Sequence, residues 1–286
     1  MKSYVFISGA CGGLGKAFCY ECASRGWDLF ITDISQTALN TLSCSLKSDY
    51  AIEVVSCPCD YSHSSSREDL FEYIQTLGLS FWFLINVAGL DYEGRFTDRD
   101  RLQLRTLLRV NIEGTLDITR GLLDHRDCEI PFRIITVSSL AAFYPMPFKA
   151  MYAASKRFLL DFFRALKEEL KSSGGTVTVL CPAGMPTTPE MVESIKSQGI
   201  IGVITTKDVG FIARRTVDKT LAGRSLYIPG FFNRVLRVLG GLFTSGFAAR
   251  TIRRRWIATY KKMDKPPCDV GQGTEVESDE IALRVK

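Results

Sequence analysis

Residues 3–33 read SYVFISGACGGLGKAFCYECASRGWDLFITD, and the order of the parts decides the fold. Ser3 to Ser8 is a short apolar run with strand character. It ends in a turn carrying Gly9, Gly12, Gly13 and Gly15, after which Lys16 to Arg25 has helical periodicity until Gly26 stops it. Strand, glycine turn and helix bring backbone N–H groups and a helix N-terminus to one point, without side chains to block an approaching phosphate. Asp28 to Thr32 is a second strand, and Asp33 follows 18 residues after Gly15. A carboxylate there accepts hydrogen bonds from an adenosine ribose and repels the extra phosphate of NADP, so the stretch favours NAD.

Outward from this unit the alternation continues. A helical stretch to Ser48 leads into the strand Ile52 to Cys57 and then Asp60, which either caps its loop or binds an adenine amino group. Phe81 to Ile85 (FWFLI) is apolar throughout, as a parallel strand covered on both faces requires. It ends in Asn86-Val87-Ala88-Gly89. Asp100 to Asp124 is a long helical pattern interrupted near Asn111, where a surface amide or a kink is the plain explanation of a poor helix former. Phe132 to Val137, Thr176 to Leu180 and Ser225 to Ile228 are further strands, and Thr206 is placed to cap a helix running to Leu221. The expected architecture is α/β: one doubly wound parallel sheet of the Rossmann kind, in three α/β/α layers, over residues 1–229.

The fifth strand delivers Ser138 and Ser139 to the edge where open α/β sheets bind ligands. Tyr152 and Lys156 follow, four apart in a segment that continues as helix, so they share a face. A tyrosine with a pKa of about 10 is a poor base near neutrality, and a neighbouring ammonium favours its phenolate. The spacing therefore predicts a proton-transfer device.

Composition narrows the alternatives. With 286 residues, 46% of them hydrophobic, the chain can bury a full core. Met1 to Ser8 reads directly into a strand rather than a secretory leader, which predicts a cytoplasmic protein whose nine cysteines are reduced. Cys19 and Cys22 sit inside the first helix and read as small hydrophobes, and the two histidines, His63 and His125, stand in no metal or hydrolase motif, so no metal site is expected. The net charge of +5 is local: Lys219 to Lys262 holds ten Lys or Arg and no Asp or Glu. This argues against nucleic-acid binding by the whole protein. In residues 230–263, Phe231, Val235, Val238, Leu239 and Leu242 recur at helical spacing beside Arg234 and Arg237. Such a stripe packs on the domain, on a second subunit, or on a membrane surface. Residues 264–286 read as a disordered tail.

Together these motifs resemble the short-chain dehydrogenase/reductase family over roughly Ser3 to Pro229. Gly9-x3-Gly13-x-Gly15 is similar to its cofactor turn and Asn86-Val-Ala-Gly89 to its NAG motif. Asn111, Ser139, Tyr152 and Lys156 resemble its catalytic tetrad, with Ser139 preferred to Ser138 because it precedes Tyr152 by the family's usual 13 residues. The resemblance implies cofactor contacts from Gly9, Gly12, Gly13, Leu14, Gly15, Asp33, Asp60, Tyr61, Asn86, Ala88, Gly89, Tyr152, Lys156, Pro182 and Thr187. It also implies hydride transfer between a nicotinamide and a secondary alcohol or ketone, with Lys156 at the nicotinamide ribose, Asn111 anchoring a water, and a homodimer or homotetramer. Ser8 stands where the family commonly has threonine, and Pro182-Ala183 replaces Pro-Gly. Apolar residues predict a bulky hydrophobic substrate, such as a hydroxysteroid or a lipid-like oxoacyl compound, against Ser139, Phe143, Tyr144, Tyr152, Met185 and Met191. The contrasting reading is an idle NAD-binding module whose basic C-terminal helix engages a membrane or a protein.

Overall fold

A computed structural model describes residues 2–185, 208–241 and 245–262. Seven strands form one sheet: β1 (Ser3–Ser8), β2 (Leu29–Asp33), β3 (Val54–Pro58), β4 (Ser80–Asn86), β5 (Arg133–Val137), β6 (Thr176–Leu180) and β7 (Leu226–Tyr227). Their order is β3-β2-β1-β4-β5-β6-β7, and every pairing is parallel. The order reverses direction between β1 and β4, so the carboxyl ends of those strands frame a crevice.

Helices cover both faces because the strands are apolar on both. On one side α1 (Gly13–Ser24) and α2 (Gln36–Asp49) pack with the helix Val209–Leu221 around Val5, Ile7, Leu29, Ile31 and Phe83. On the other, α3 (Ser64–Thr76), α5 (Thr115–Asp124) and α6 (Ala150–Glu169) cover Phe6, Phe30, Phe81 and Leu84. Leu159, Leu160 and Phe163 of α6 are fully buried there, each worth about 2 kcal/mol of apolar transfer. The expected doubly wound three-layer fold is therefore the observed one.

The helical pattern interrupted at Asn111 is α4 (Arg101–Leu108), a π turn at Arg109–Gly114, and then α5. Asn111 is fully buried, which rules out the surface amide. Wide turns of this kind are frequent at functional sites. Arg67 braces the turn from α3: Nη2 donates to Glu113 at 2.7 Å, Nε to Asp117 at 2.6 Å, and Nη1 to the Tyr61 carbonyl at 2.6 Å.

The helix to Leu221, here α7 (Val209–Leu221), is capped by Asp208, whose carboxylate accepts from Phe211 N at 2.8 Å. The cap expected from Thr206 is thus replaced by a carboxylate two residues later, and Thr206 lies outside the described residues. After β7 come α8 (Phe231–Gly241) and α9 (Ser245–Lys262). Among the described residues no helix is long and apolar enough to cross a membrane, and no cluster of His, Cys, Asp or Glu is placed to hold a metal ion.

Candidate active site

The glycine turn lies at the end of β1, and its shape is set by close approach. Gly9 has φ +60°, and a Cβ there would sit 2.8 Å from the Ala88 backbone. A Cβ on Gly15 would overlap the Gly9 carbonyl, whereas one on Gly12 would meet only ordinary contact. Gly12 stands at the N-cap of α1 with no side chain to satisfy the first-turn N–H groups, while Gly13 opens the helix and Leu14 is buried beneath it. The turn is held by Ser8, whose Oγ accepts from Val87 N at 3.1 Å and Ala88 N at 3.3 Å. Asp33, the last residue of β2, accepts from Cys11 N at 2.9 Å through one oxygen and from Ile34 N at 2.8 Å through the other. This bare cradle beside a fixed carboxylate fits a dinucleotide.

Farther along the same sheet edge, Asp60 holds its own loop: Oδ1 accepts from Ser62 N at 2.8 Å and Ser62 Oγ at 2.7 Å, and Oδ2 lies 3.0 Å from His63 Nδ1. Tyr61 is buried beside it. Asn86 ends β4 with Nδ2 donating to Thr119 at 3.0 Å, while its Oδ1 finds no partner among the described residues.

The reacting end gathers residues from four elements. Asn111 in the π turn accepts from Leu90 N at 2.7 Å and donates to Leu90 O at 2.9 Å and Ser155 Oγ at 3.1 Å. Ser155 in turn donates to the Tyr152 carbonyl at 2.8 Å. Ser138 and Ser139 have separate tasks. Ser138 is buried and its Oγ donates to the Lys156 carbonyl at 2.7 Å, which spends it on holding α6. Ser139 Oγ is part-buried and accepts from Ala141 N at 3.1 Å.

Lys156 is 4% exposed and donates to the Val137 carbonyl at 3.0 Å. Desolvation pushes its pKa down to about 8. Tyr152 moves the other way: burial pushes it up to about 12 and the Asp91 charge adds to the rise, against the Ser139 hydroxyl and the Lys149 charge, with Cys181 raising it further. Lys149 thus adds a charge that favours the phenolate beside the one the spacing pointed to at Lys156. Both ammonium groups stand close, 5.6 Å (Lys149) and 5.8 Å (Lys156) from the ring centroid.

Lys149 is a residue the sequence reading passed over, since a lysine in a loop reads as solvated. Its position one helical turn before Tyr152 was the available signal. Of the residues expected at the substrate, Tyr144 donates to the Leu236 carbonyl of α8 at 2.6 Å, and Arg237 lies over the Phe143 ring at 5.4 Å. These two residues anchor the C-terminal helix. Met185 is half-buried against the layer containing Leu14 and Ile212. Pro182 is buried and its carbonyl accepts from Leu140 N at 2.8 Å. Thr187 and Met191 lie outside the described residues. A cleft of about 520 Å³ opens between the loop after β4 and α9, lined by Arg95, Phe96, Pro147, Phe148, Arg253 and Ile257.

With this geometry in view, comparison with known proteins is decisive for the family: the short chain dehydrogenase profile matches residues 3–198. The chain belongs to the short-chain dehydrogenases. Among curated members, very-long-chain 3-oxoacyl-CoA reductase-A of Danio rerio is 27% identical over 189 residues, covering 64% of this chain and 58% of that protein. The 17-beta-hydroxysteroid dehydrogenase type 3 of Homo sapiens is 27% identical over 192 residues, covering 65% and 60%. This short-chain dehydrogenase thus spans about three-fifths of the length of the curated relatives it matches. A solved 7beta-hydroxysteroid dehydrogenase superposes with TM-score 0.80 at 22% identity, covering 88% of this chain and 96% of that one. An NAD+-bound xylitol dehydrogenase superposes with TM-score 0.70 at 17% identity, covering 80% and 97%. These two likenesses show the fold of the short-chain dehydrogenases.

Proposed function

We propose that this short-chain dehydrogenase interconverts a bulky hydrophobic ketone and its secondary alcohol, with NAD preferred to NADP. The observation that carries the reading is the gathering of four groups at the carboxyl ends of the strands: Asn111 reaches the Tyr152 carbonyl through Ser155, and the Ser139 hydroxyl and Lys156 ammonium face the Tyr152 phenol. The cradle of Gly9, Gly12, Gly13, Leu14 and Gly15 would hold the pyrophosphate, Asp33 the adenosine ribose, Asp60 and Tyr61 the adenine end, and Asn86, Ala88, Gly89, Lys156, Pro182 and Thr187 the remainder. A bound nicotinamide supplies the hydride chemistry.

The chain's own groups handle the proton. At neutral pH the Tyr152 phenol keeps its hydrogen, which suits it to donate to a carbonyl oxygen as that oxygen gains charge. Ser139 Oγ–H steadies the same oxygen. Lys156, hung from Val137 O, keeps a positive charge near the ring, and Asn111 fixes the loop after β4 against α6. A hydroxysteroid or lipid-like oxoacyl compound suits the cleft at Phe96, Pro147, Phe148 and Ile257. The names of the curated relatives point the same way.

Turnover of hydroxysteroid and oxoacyl panels, followed by NADH absorbance, tests this. Tyr152→Phe should lose 10²- to 10⁴-fold in rate, on the order expected for general acid–base catalysis, while still binding NADH. Retained turnover overturns the assignment of Tyr152. NADH binding by the wild type without turnover of either panel favours the idle module.

The C-terminal helices support a second element of the reading, peripheral attachment to an anionic membrane from the cytoplasm. Phe231 is 74% and Val238 62% exposed on α8, beside Arg234, with Phe247, Arg250, Arg253 and Arg254 following on α9. Co-sedimentation with anionic vesicles should be lost on removing residues 230–286, and equal sedimentation rejects attachment. Phe158, exposed on α6 and stacked on Phe162 at 6.0 Å, supports pairing of subunits through that helix, checked by the solution mass.

A further inference from the structure

We propose that Lys149, with Asp91 as its counterion, is a positioning residue that clamps the loop after β4 onto the start of α6 and sets the field at Tyr152. The proposal rests on the reading of Tyr152 as the proton-transfer group.

Local structure gives no reason for a lysine here. Lys149 occupies the N-cap of α6 and makes no side-chain cap. Polar acceptors are the preferred residues at that position, and a cation is on the wrong end of the helix dipole. The preceding residue is also held against preference: Phe148 has φ +68°, the only such value outside glycine among the described residues. Two consecutive residues are therefore kept in place by what they reach.

What they reach is one short segment. Gly94 N donates to the Phe148 carbonyl at 2.8 Å. Lys149 Nζ stands 2.6 Å from Asp91 Oδ2 and 3.4 Å from Glu93 Oε2, with its side chain only 14% exposed. An ion pair this secluded loses less to solvent screening than a surface pair. It leaves the ammonium 5.6 Å from the Tyr152 ring centroid.

The groups facing Tyr152 are Lys149 and Lys156 of α6, Asp91 after β4, Ser139 after β5 and Cys181 after β6. Glu93 completes the partners of Lys149. Lys149 and Asp91 act on the phenol with opposite sign, so removing one unmasks the other.

The test uses the full chain with Asp91→Asn, Lys149→Met and Lys149→Arg. The readouts are the pH dependence of kcat/KM for alcohol oxidation and the ultraviolet titration of the tyrosinate, taken as a difference from Tyr152→Phe. Asp91→Asn should move the Tyr152 ionisation to lower pH by about 0.5 to 1 unit, and Lys149→Met should move it to higher pH by a similar amount. Lys149→Arg should restore it. Unmoved profiles, or shifts of the same sign, overturn the proposal. If Lys149→Met does not fold, the direction given by Asp91→Asn decides. Full turnover by Tyr152→Phe would instead sink the underlying reading, whereas an inactive Tyr152→Phe with unmoved profiles sinks this inference alone.

Discussion

Gly89 and Lys156 face each other across a gap with no room for a methyl group. A Cβ on Gly89 would lie 3.0 Å from Lys156 Nζ and 3.3 Å from Asn111 Oδ1. Both neighbours are buried and hydrogen-bonded, the first to Val137 and the second to Leu90, so neither has an easy retreat. Gly89→Ala should lower kcat by about 10- to 100-fold, because small displacements of positioned groups are costly. Steady-state kinetics with NADH binding as the control checks this, and an unchanged kcat would show that the two side chains give way freely.

The adjacent serines should separate cleanly. Ser138→Ala removes a buried hydrogen bond to the Lys156 carbonyl, which keeps its helical N–H donor, and should cost about 0.5 to 1.5 kcal/mol of stability with a modest loss of rate. Ser139→Ala should leave the unfolding free energy measured in urea within about 1 kcal/mol of wild type and lower kcat/KM by about 10²-fold. The opposite pattern would assign the substrate contact to Ser138.

Lys156 carries a stability cost whose pH dependence follows from its burial. Its folded pKa of about 8 lies below the ordinary 10.5, so the unfolded chain binds the extra proton between those values and stability falls as pH drops through that window. The penalty is complete below about pH 8 and absent above 10.5; linkage puts it on the order of 3 kcal/mol. Lys156→Met should be inactive, and in the cofactor-free protein the stability of wild type relative to this variant should gain on the order of 3 kcal/mol from pH 8 to 10.5, over the fall that the buried Cys59 and Cys181 thiols impose on both. Urea unfolding at the two pH values measures the difference, and parallel curves would contradict it.

Asp33 bears on cofactor choice. Asp33→Ala removes the carboxylate that two backbone amides hold at the end of β2, and should shift the NAD to NADP ratio of kcat/KM at least about 10-fold toward NADP. A wild-type protein that already prefers NADPH would overturn the reading of this residue.

Much of the fold was legible because burial imposes period. FWFLI announces a strand covered on both faces, and the turn at Gly9 to Gly15 follows a strand and opens a helix, as the structure shows. Tyr152 and Lys156 were legible because four residues make one helical turn. The interruption at Asn111 was visible, but its depth was not, since only the packed structure places that amide between Leu90 and Ser155. Lys149 was hidden for the same reason. Its partner Asp91 is 58 residues away, and no local pattern pairs them. The cap of α7 was misplaced by two residues because the sequence reading took the hydroxyl of Thr206 and passed over Asp208, whose carboxylate makes the capping hydrogen bond.

The π turn touches both ends of the crevice. Through Asn111 it grips the loop after β4 and α6, and through Glu113 it shares Arg67 with the Tyr61 carbonyl after β3. One wide turn of helix thus serves as a gauge, fixing the span between the loop after β4 and the loop after β3. Shortening it by a single residue would put both ends out of step at once, so the crevice has one working length.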